Sequence, residues 1–479
     1  MATSTSTIQQ TLKAALDFSL SHLEGLDQRP VSSTVDLQTL RRRLAKPLEY
    51  GSRDPAEVIS DLVGDVEGGI LGSAGGRFFG WVIGGSLPAA LAADWLTAAW
   101  DQNAALYACG PAAAIAEEVA GNWLKELLDL PERASFALTS GCQMAHVTCL
   151  AAARHSLLRR KGWDTERKGL QGAPRIRVLS STERHGSIDR AVRLLGLGSD
   201  CVVDLPVDAE GNLSEAALDQ ALREDKHLPT IVLLQAGDLN MGAYDRFQTL
   251  IPLARKNDAW VHIDGAFGLW AAASPLRKHL TEGVSQADSW ATDGHKWLNV
   301  PYDCGYAFIA DSEAHRSSLS HRAPYLTHDA SARDQMDWNP EWSRRARGFP
   351  TYAAIRQLGK RGVTELVERC CRHALSLTTS LGALPGVEVL SQPIVNQGLV
   401  RFLDPSAGAS EADHDQRTDD VIAEVLSAGE AFFGGTTWRG RRAMRISVCN
   451  WQTSESHVAQ ATNAIKQALD RLAPVDYTI

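Results

Sequence analysis

The chain has 479 residues, 44% hydrophobic and 22% charged, which is the balance of a globular protein with a large core in two or three structural units and not of a disordered one. Its formal net charge of −9 argues against non-specific attraction to nucleic acid or to an anionic membrane surface, while an anionic small ligand needs only local donors. No apolar run reaches membrane-spanning length, because Asp94 interrupts the Ala-rich stretch over 88–100. The segment Met1-Ala2-Thr3-Ser4-Thr5-Ser6 lacks a basic region followed by an apolar core, so no secretory signal is read. The eight cysteines form no C-x-x-C pair and read as reduced thiols of a cytoplasmic protein.

In chain order, apolar residues at helical spacing over 8–23 predict a helix, followed by Pro30 and a polar stretch. This segment, 1–65, is too short for a domain and reads as a helical arm packed on a neighbour. From about 79 to 310, helical stretches (89–100, 112–128, 143–159, 187–195, 214–223) alternate with short aliphatic or β-branched runs (176–179, 201–205, 230–234, 260–263, 289–291, 306–309). That alternation predicts an α/β domain over 66–345 built on a largely parallel, doubly wound sheet, with ligands where strands end and loops begin. Residues 322–340 are polar and irregular, and a loop of that length is usually functional. A long helix over 352–381 is then expected. Strand-like runs at 387–390, 398–402 and 444–448, separated by helices over 417–428 and 456–472, make 346–479 a smaller α+β domain.

Four features fall at predicted strand ends. Thr139-Ser140-Gly141-Cys142-Gln143 is a small-residue turn opening a helix, whose free N–H groups and positive dipole end suit a phosphate; taken alone it reads as an ordinary Ser/Gly cap. His185 follows the run at 176–179 and precedes a helix, where an imidazole stacks on a flat aromatic cofactor, shuttles a proton, or simply caps the helix. Asp264 ends the apolar strand Trp260-Val261-His262-Ile263. A carboxylate there is costly to bury without a cation, and a protonated pyridine nitrogen, a metal or a helix end would each answer it. Lys296, in Asp293-Gly294-His295-Lys296-Trp297, sits in the loop after the next strand beside aromatic bulk, where desolvation can lower an amine's pKa and make it a nucleophile, although a lysine taken singly reads as a solvated surface group. Taken together they supply a phosphate seat, a stacking ring, a pyridinium partner and an amine.

With these residues the chain resembles the pyridoxal-phosphate-dependent decarboxylases of the aromatic-amino-acid and glutamate type (group II), which have the aspartate-aminotransferase fold. The resemblance runs from about 80 to 447 and is carried by His185-Gly186-Ser187-Ile188-Asp189-Arg190-Ala191, His262-Ile263-Asp264-Gly265-Ala266, His295-Lys296-Trp297-Leu298-Asn299-Val300-Pro301-Tyr302-Asp303-Cys304-Gly305 and Ser343-Arg344-Arg345-Ala346-Arg347. It implies a large domain with a mostly parallel sheet of the seven-stranded type flanked by helices, a smaller C-terminal α+β domain, and pyridoxal 5'-phosphate as cofactor. It implies that Lys296 holds the cofactor as a Schiff base and that Asp264 pairs with the ring nitrogen. His185 and Ala266 would lie against the two ring faces, and Cys142, Gln143 and His295 around the phosphate. Trp81 matches a position lining the substrate pocket, and Arg445 one that takes a substrate carboxylate, although an arginine there is equally read as structural. A homodimer with active sites at the interface is implied as well.

Three departures bear on the reaction. Gln143-Met144-Ala145 replaces a small hydroxylated residue and a glutamate, and Asp238-Leu239-Asn240 stands where the family often has a threonine pair. Where the family's mobile loop presents a tyrosine that reprotonates the substrate carbon after loss of CO2, this chain has Asp337-Trp338-Asn339-Pro340, with Tyr325 at the start of the loop. The leading expectation is decarboxylation of an L-amino acid, aromatic or bulky apolar given the aromatic segment at Trp81, with His185 or Tyr325 returning the proton. Oxidative deamination to an aldehyde and Cα–Cβ cleavage both tolerate loss of the loop tyrosine. A non-catalytic paralogue acting as a binding partner is a reading of another class, against which the complete Lys296, Asp264 and His185 set argues.

Overall fold

The computed structural model describes residues 5–321 and 332–473, and the chain divides into two compact units. The larger, Gly84–Leu375 with Ser391–Gly398, is built on a seven-stranded sheet: β1 (Ser135–Thr139), β2 (Arg177–Ser181), β3 (Val202–Leu205), β4 (Thr230–Gln235), β5 (Trp260–Asp264), β6 (Ser289–Asp293) and β7 (Gly305–Ile309), in the order β1-β7-β6-β5-β4-β2-β3. Strands β3, β2, β4, β5 and β6 pair in parallel, and β7 runs antiparallel to both β6 and β1. Every residue of β2, β4, β5 and β6 is buried, as a parallel sheet covered on both faces requires. This is the α/β class expected from the alternating pattern.

The helix Cys142–Arg160 lies against the sheet through Ala145, Cys149, Ala152 and Ala153, which pack in one core with Val178, Ile231, Ala291 and Ala307. Small side chains let that helix approach closely, so its N-terminus arrives at the ends of β5 and β6. Gly305 is needed at the same place, because a Cβ on it would come within 2.4 Å of the Gly141 backbone. The sequence reading lacks β1, whose Ser-Phe-Ala-Leu-Thr carries no aliphatic run, and lacks the helices Phe247–Lys256 and Ser312–Leu319. The long C-terminal helix spans Gly348–Gly382 but breaks at Gly359, where φ is 59°.

The smaller unit joins Met1–Ile83 to Ser376–Leu390 and Leu399–Ile479. It holds a second sheet, in the order β10-β11-β9-β8, of β8 (Val387–Ser391), β9 (Gln397–Phe402), β10 (Gly434–Trp438) and β11 (Arg441–Ser447). Where the sequence suggests a separate arm over 1–65, the helices Thr5–Glu24, Leu37–Leu44 and Pro55–Val66 fall in this unit. Their linkers are fixed there by backbone bonds. Val31 N–H donates to Gly429 O at 2.8 Å, and the Arg77 guanidinium donates to the carbonyls of Leu26, Arg29 and Glu430.

In the larger unit the Arg344 guanidinium meets the Glu117 carboxylate at 2.6 Å with both side chains fully buried, and it also donates to the Ala104 and Leu138 carbonyls. Breaking one side of such a pair strands a buried charge. Glu117→Ala is therefore expected to lower the unfolding free energy by about 3–5 kcal/mol in urea titrations. Lys13→Ala, which removes an exposed pair with Asp17, should change it by less than about 1 kcal/mol.

Candidate active site

Three chain segments converge at the carboxyl ends of β5 and β6. Asp264, the last residue of β5, is 7% exposed. Its Oδ1 accepts from the Ala266 N–H at 3.2 Å and lies 3.6 Å from His146 Nε2. Among the described residues Oδ2 takes no hydrogen bond, so this nearly buried carboxylate has room for a cationic partner. Lys296, in the loop after β6, is partly buried, with Nζ 3.2 Å from Asp293 Oδ2. Asp293, the last residue of β6, also accepts at Oδ1 from the Cys142 N–H at 2.6 Å, where the helix Cys142–Arg160 begins. His295 stacks on Tyr302 at 4.3 Å, accepts at Nδ1 from the Cys304 N–H, and has Nε2 3.5 Å from Asp293 Oδ1. Desolvation lowers its pKa. A carboxylate for a pyridinium, an amine for an aldehyde and a helix N-terminus for a phosphate are the donor set that pyridoxal 5'-phosphate needs, so the residues fit that group.

Of the residues singled out in the sequence, Lys296, Asp264, Ala266, Cys142, Gln143, His295 and His185 all lie in the larger unit. Gln143 Nε2 donates to Ser187 O at 3.1 Å, which ties the Cys142 helix to the one that His185 opens. His185 is exposed and caps the helix Gly186–Leu194, its Nδ1 accepting from Ser187 N–H and facing Ser187 Oγ at 2.8 Å. Trp81 and Arg445 lie in the smaller unit and meet there, with Arg445 Nη2 3.5 Å from Trp81 O. The Trp81 ring packs on Phe432 and Phe78 yet stays 52% exposed, on a backbone with φ 48°. A bulky residue in the left-handed region is strained, and such strain clusters at functional positions. Tyr325 falls outside the described residues. Asp238 is buried and spent locally, its carboxylate accepting from the N–H groups of Asn240, Met241 and Ala243.

Sequence reasoning passed over Asp293, His146, His262 and Ser289. The strand-end rule that selects Asp264 selects Asp293 on the next strand, and His146 lies four residues after Cys142 on one helix face. Those were the available signals.

The pattern of the pyridoxal-dependent decarboxylase conserved domain matches residues 44–403. An aromatic-L-amino-acid decarboxylase of Bacillus atrophaeus is 26% identical over 467 residues, covering 96% of this chain and 95% of the relative. Tryptophan decarboxylase 1 of Oryza sativa subsp. japonica is 27% identical over 488 residues (96% and 93%), and 4-hydroxyphenylacetaldehyde synthase of Rhodiola rosea 25% over 466 residues (95% and 93%). Among solved structures, that of Oryza sativa TDC with PLP and tryptamine superposes with a TM-score of 0.92 at 24% identity, covering 99% of this chain and all 100% of the other. It shows the same fold.

Behind Asp264 runs a buried relay. His146 Nδ1 lies 2.9 Å from His262 Nε2, His262 Nδ1 lies 2.9 Å from Ser289 Oγ, and Trp260 Nε1 donates to Ser289 Oγ at 2.9 Å. Burial pushes both imidazoles down to about 3, so each is neutral at pH 7 with one ring proton. The arrangement with the His146 proton on Nε2 aims an N–H at the Asp264 carboxylate, and the reverse would aim a lone pair at it, so the carboxylate favours the first. Burial holds His315 at about 3 as well. A histidine with a folded pKa near 3 and an ordinary value of 6.5 takes its proton on unfolding, so its contribution is complete above pH 6.5 and is lost as pH falls toward 3. Asp245, raised by burial to about 6, acts in the opposite sense as pH falls through 6 toward 3.8. Three such histidines outweigh it. The urea midpoint is expected to drop by several kcal/mol equivalent between pH 7 and pH 5, and Asp245→Asn to steepen the drop below pH 6; an unchanged midpoint would refute the assignment.

Proposed function

Because the chain belongs to the pyridoxal-dependent decarboxylase family, whose cofactor is pyridoxal 5'-phosphate, we propose that it decarboxylates an aromatic or bulky apolar L-amino acid, with Lys296 as the cofactor-bearing amine. The observation that carries this reading is Asp264 at the end of β5 and, at the end of the adjacent parallel β6, Asp293, which meets both the Lys296 amine and the N-terminus of the Cys142 helix. Bound there, the cofactor supplies a carbonyl for amines and, in its protonated ring, an electron sink. Asp264 would hold a proton on the ring nitrogen, with the His146 Nε2 side facing Asp264. His185 and Ala266 would lie against the ring, and the Cys142 and Gln143 segment with His295 would lie around the phosphate. Lys296 would be the amine that carries the cofactor, Trp81 would line the substrate pocket, and Arg445 would take a carboxylate bidentately. His185 or Tyr325 would be the proton donor toward the substrate. The relatives that are aromatic-amino-acid and tryptophan decarboxylases support the substrate class.

We further read the protein as a cytoplasmic homodimer. Ile8, Leu12 and Leu16 line one face of a helix with no buried residue, the kind of surface a second copy covers. No helix among the described residues is long and apolar enough to cross a membrane.

A second reading has a specific observation in its favour. In the stretch that stands where the family's loop carries its tyrosine, Asp337 is buried and bound by Arg316 and Ser320, so it is spent on structure. Some relatives are aldehyde synthases. A substrate carbon left without its acid would be open to oxidation by dioxygen: the amino acid, O2 and H2O give the aldehyde, CO2, ammonia and hydrogen peroxide. Incubation of the holoenzyme with L-tryptophan, L-tyrosine and L-phenylalanine decides between them: CO2 with the amine is expected, peroxide with the aldehyde selects the second reading, and no CO2 from any amino acid sinks the first. Lys296→Ala should lose both the visible cofactor absorption and CO2 release, which a non-catalytic paralogue would not do. Asp264→Asn should lower kcat about 10²- to 10³-fold, the scale of losing one preorganised electrostatic partner.

A further inference from the structure

Asp293 touches the two groups that cofactor capture requires. Its Oδ2 faces the Lys296 amine at 3.2 Å and its Oδ1 accepts from the first N–H of the Cys142 helix at 2.6 Å. The carboxylate is 2% exposed, so water screens it little and its charge acts at full strength on both neighbours. It also occupies, with the chain's own negative charge, a helix end suited to an anion. We propose that Asp293 controls how readily Lys296 condenses with an aldehyde, by holding the amine as an ammonium and by setting a negative charge beside the seat of the cofactor's phosphate. This rests on the reading of Lys296 as the cofactor-bearing amine.

Several groups face Lys296: the carboxylates of Asp293 and Asp264, the Cys142 thiol, and the imidazoles of His146 and His295. Burial pulls the lysine down, but the negative charge beside it, Asp293 foremost and Asp264 with it, outweighs burial and raises it above the ordinary lysine value. Burial, then Asp293 and Asp264, raise the Cys142 thiol well above its ordinary value, so it stays protonated. Both imidazoles are lowered and neutral near pH 7. Two carboxylates therefore set the state of the amine, and Asp293 is the one in contact. Condensation requires the free amine. The ammonium gives one proton to solvent, the nitrogen forms a C=N bond to the aldehyde carbon, and the carbonyl oxygen leaves as water. No oxidant or reductant is involved. Asp293→Asn keeps the size and an oxygen for the Cys142 N–H while removing the charge.

The test uses the full-length protein stripped of cofactor and mixed with pyridoxal, which lacks the phosphate, or with pyridoxal 5'-phosphate, following the visible imine band across pH. With pyridoxal, the wild-type rate is expected to keep rising beyond about pH 10, the ordinary lysine range. In Asp293→Asn the profile should move down by at least about one pH unit, making the reaction near pH 7.5 roughly tenfold faster. With pyridoxal 5'-phosphate the gain should be larger again, because a like charge beside the phosphate is gone. Superposed wild-type and Asp293→Asn profiles with both probes would overturn the proposal. If the variant does not fold, a wild-type profile that levels off below about pH 9 overturns it alone. A Lys296→Ala protein that forms the wild-type band shows instead that the underlying assignment of Lys296 is at fault.

Discussion

The site depends on one contact, the acceptance of the Cys142 N–H by the Asp293 carboxylate at 2.6 Å. It joins the end of β6 to the start of a helix whose own sequence position is 151 residues earlier. Asp293 is further fixed by its backbone, its N–H donating to Ala266 O at 3.0 Å and its carbonyl accepting from Trp270 Nε1 at 3.2 Å. With those anchors the residue after the Asp264 turn, the helix end and the loop bearing Lys296 share one frame. A parallel sheet brings the ends of β5 and β6 side by side by topology. Only the side-chain and backbone bonds at that edge give angstrom-scale positions.

The frame is legible in the sequence where burial on both faces demands an aliphatic run. Thr230-Ile231-Val232-Leu233-Leu234 and Trp260-Val261-His262-Ile263 announce β4 and β5, and each ends within a residue or so of its observed bound. β1 is not legible, because Ser-Phe-Ala-Leu-Thr sits at the sheet edge, where small and hydroxylated residues suffice. Lys296 and Asp264 are legible since their chemistry is costly anywhere but in such a site. His146 is not. It sits in a helix of mixed small and polar residues, and its meaning lies in a nitrogen 2.9 Å from His262, a residue 116 positions away. His185 shows the opposite limit: it carries a ring-stacking expectation, and it caps the helix Gly186–Leu194, which the residue taken alone offers as an equal alternative.

The relay behind Asp264 explains why so many polar groups survive at the centre of an apolar sheet. Ser289, His262 and His146 each satisfy the next, and the series begins at an indole that can only donate and ends at a carboxylate that can only accept. A chain with such ends has a preferred direction, so its members are held in one protonation pattern with no charged histidine. The consequence is functional. No member of the relay brings a cation to the Asp264 carboxylate, which on the proposed reading would leave that place to the cofactor's ring nitrogen.

On the proposed reading, commitment to one reaction would be decided outside this buried frame. Asp264, Asp293 and His146 are each fixed by several contacts. Asp337 has been drawn into a structural pair with Arg316, and His185 stands exposed at a helix start. On the reading of this site as a decarboxylase's, that contrast would place amine formation and aldehyde formation within reach of the same residues. The outcome turns on how quickly one proton reaches one carbon relative to a competing oxidant.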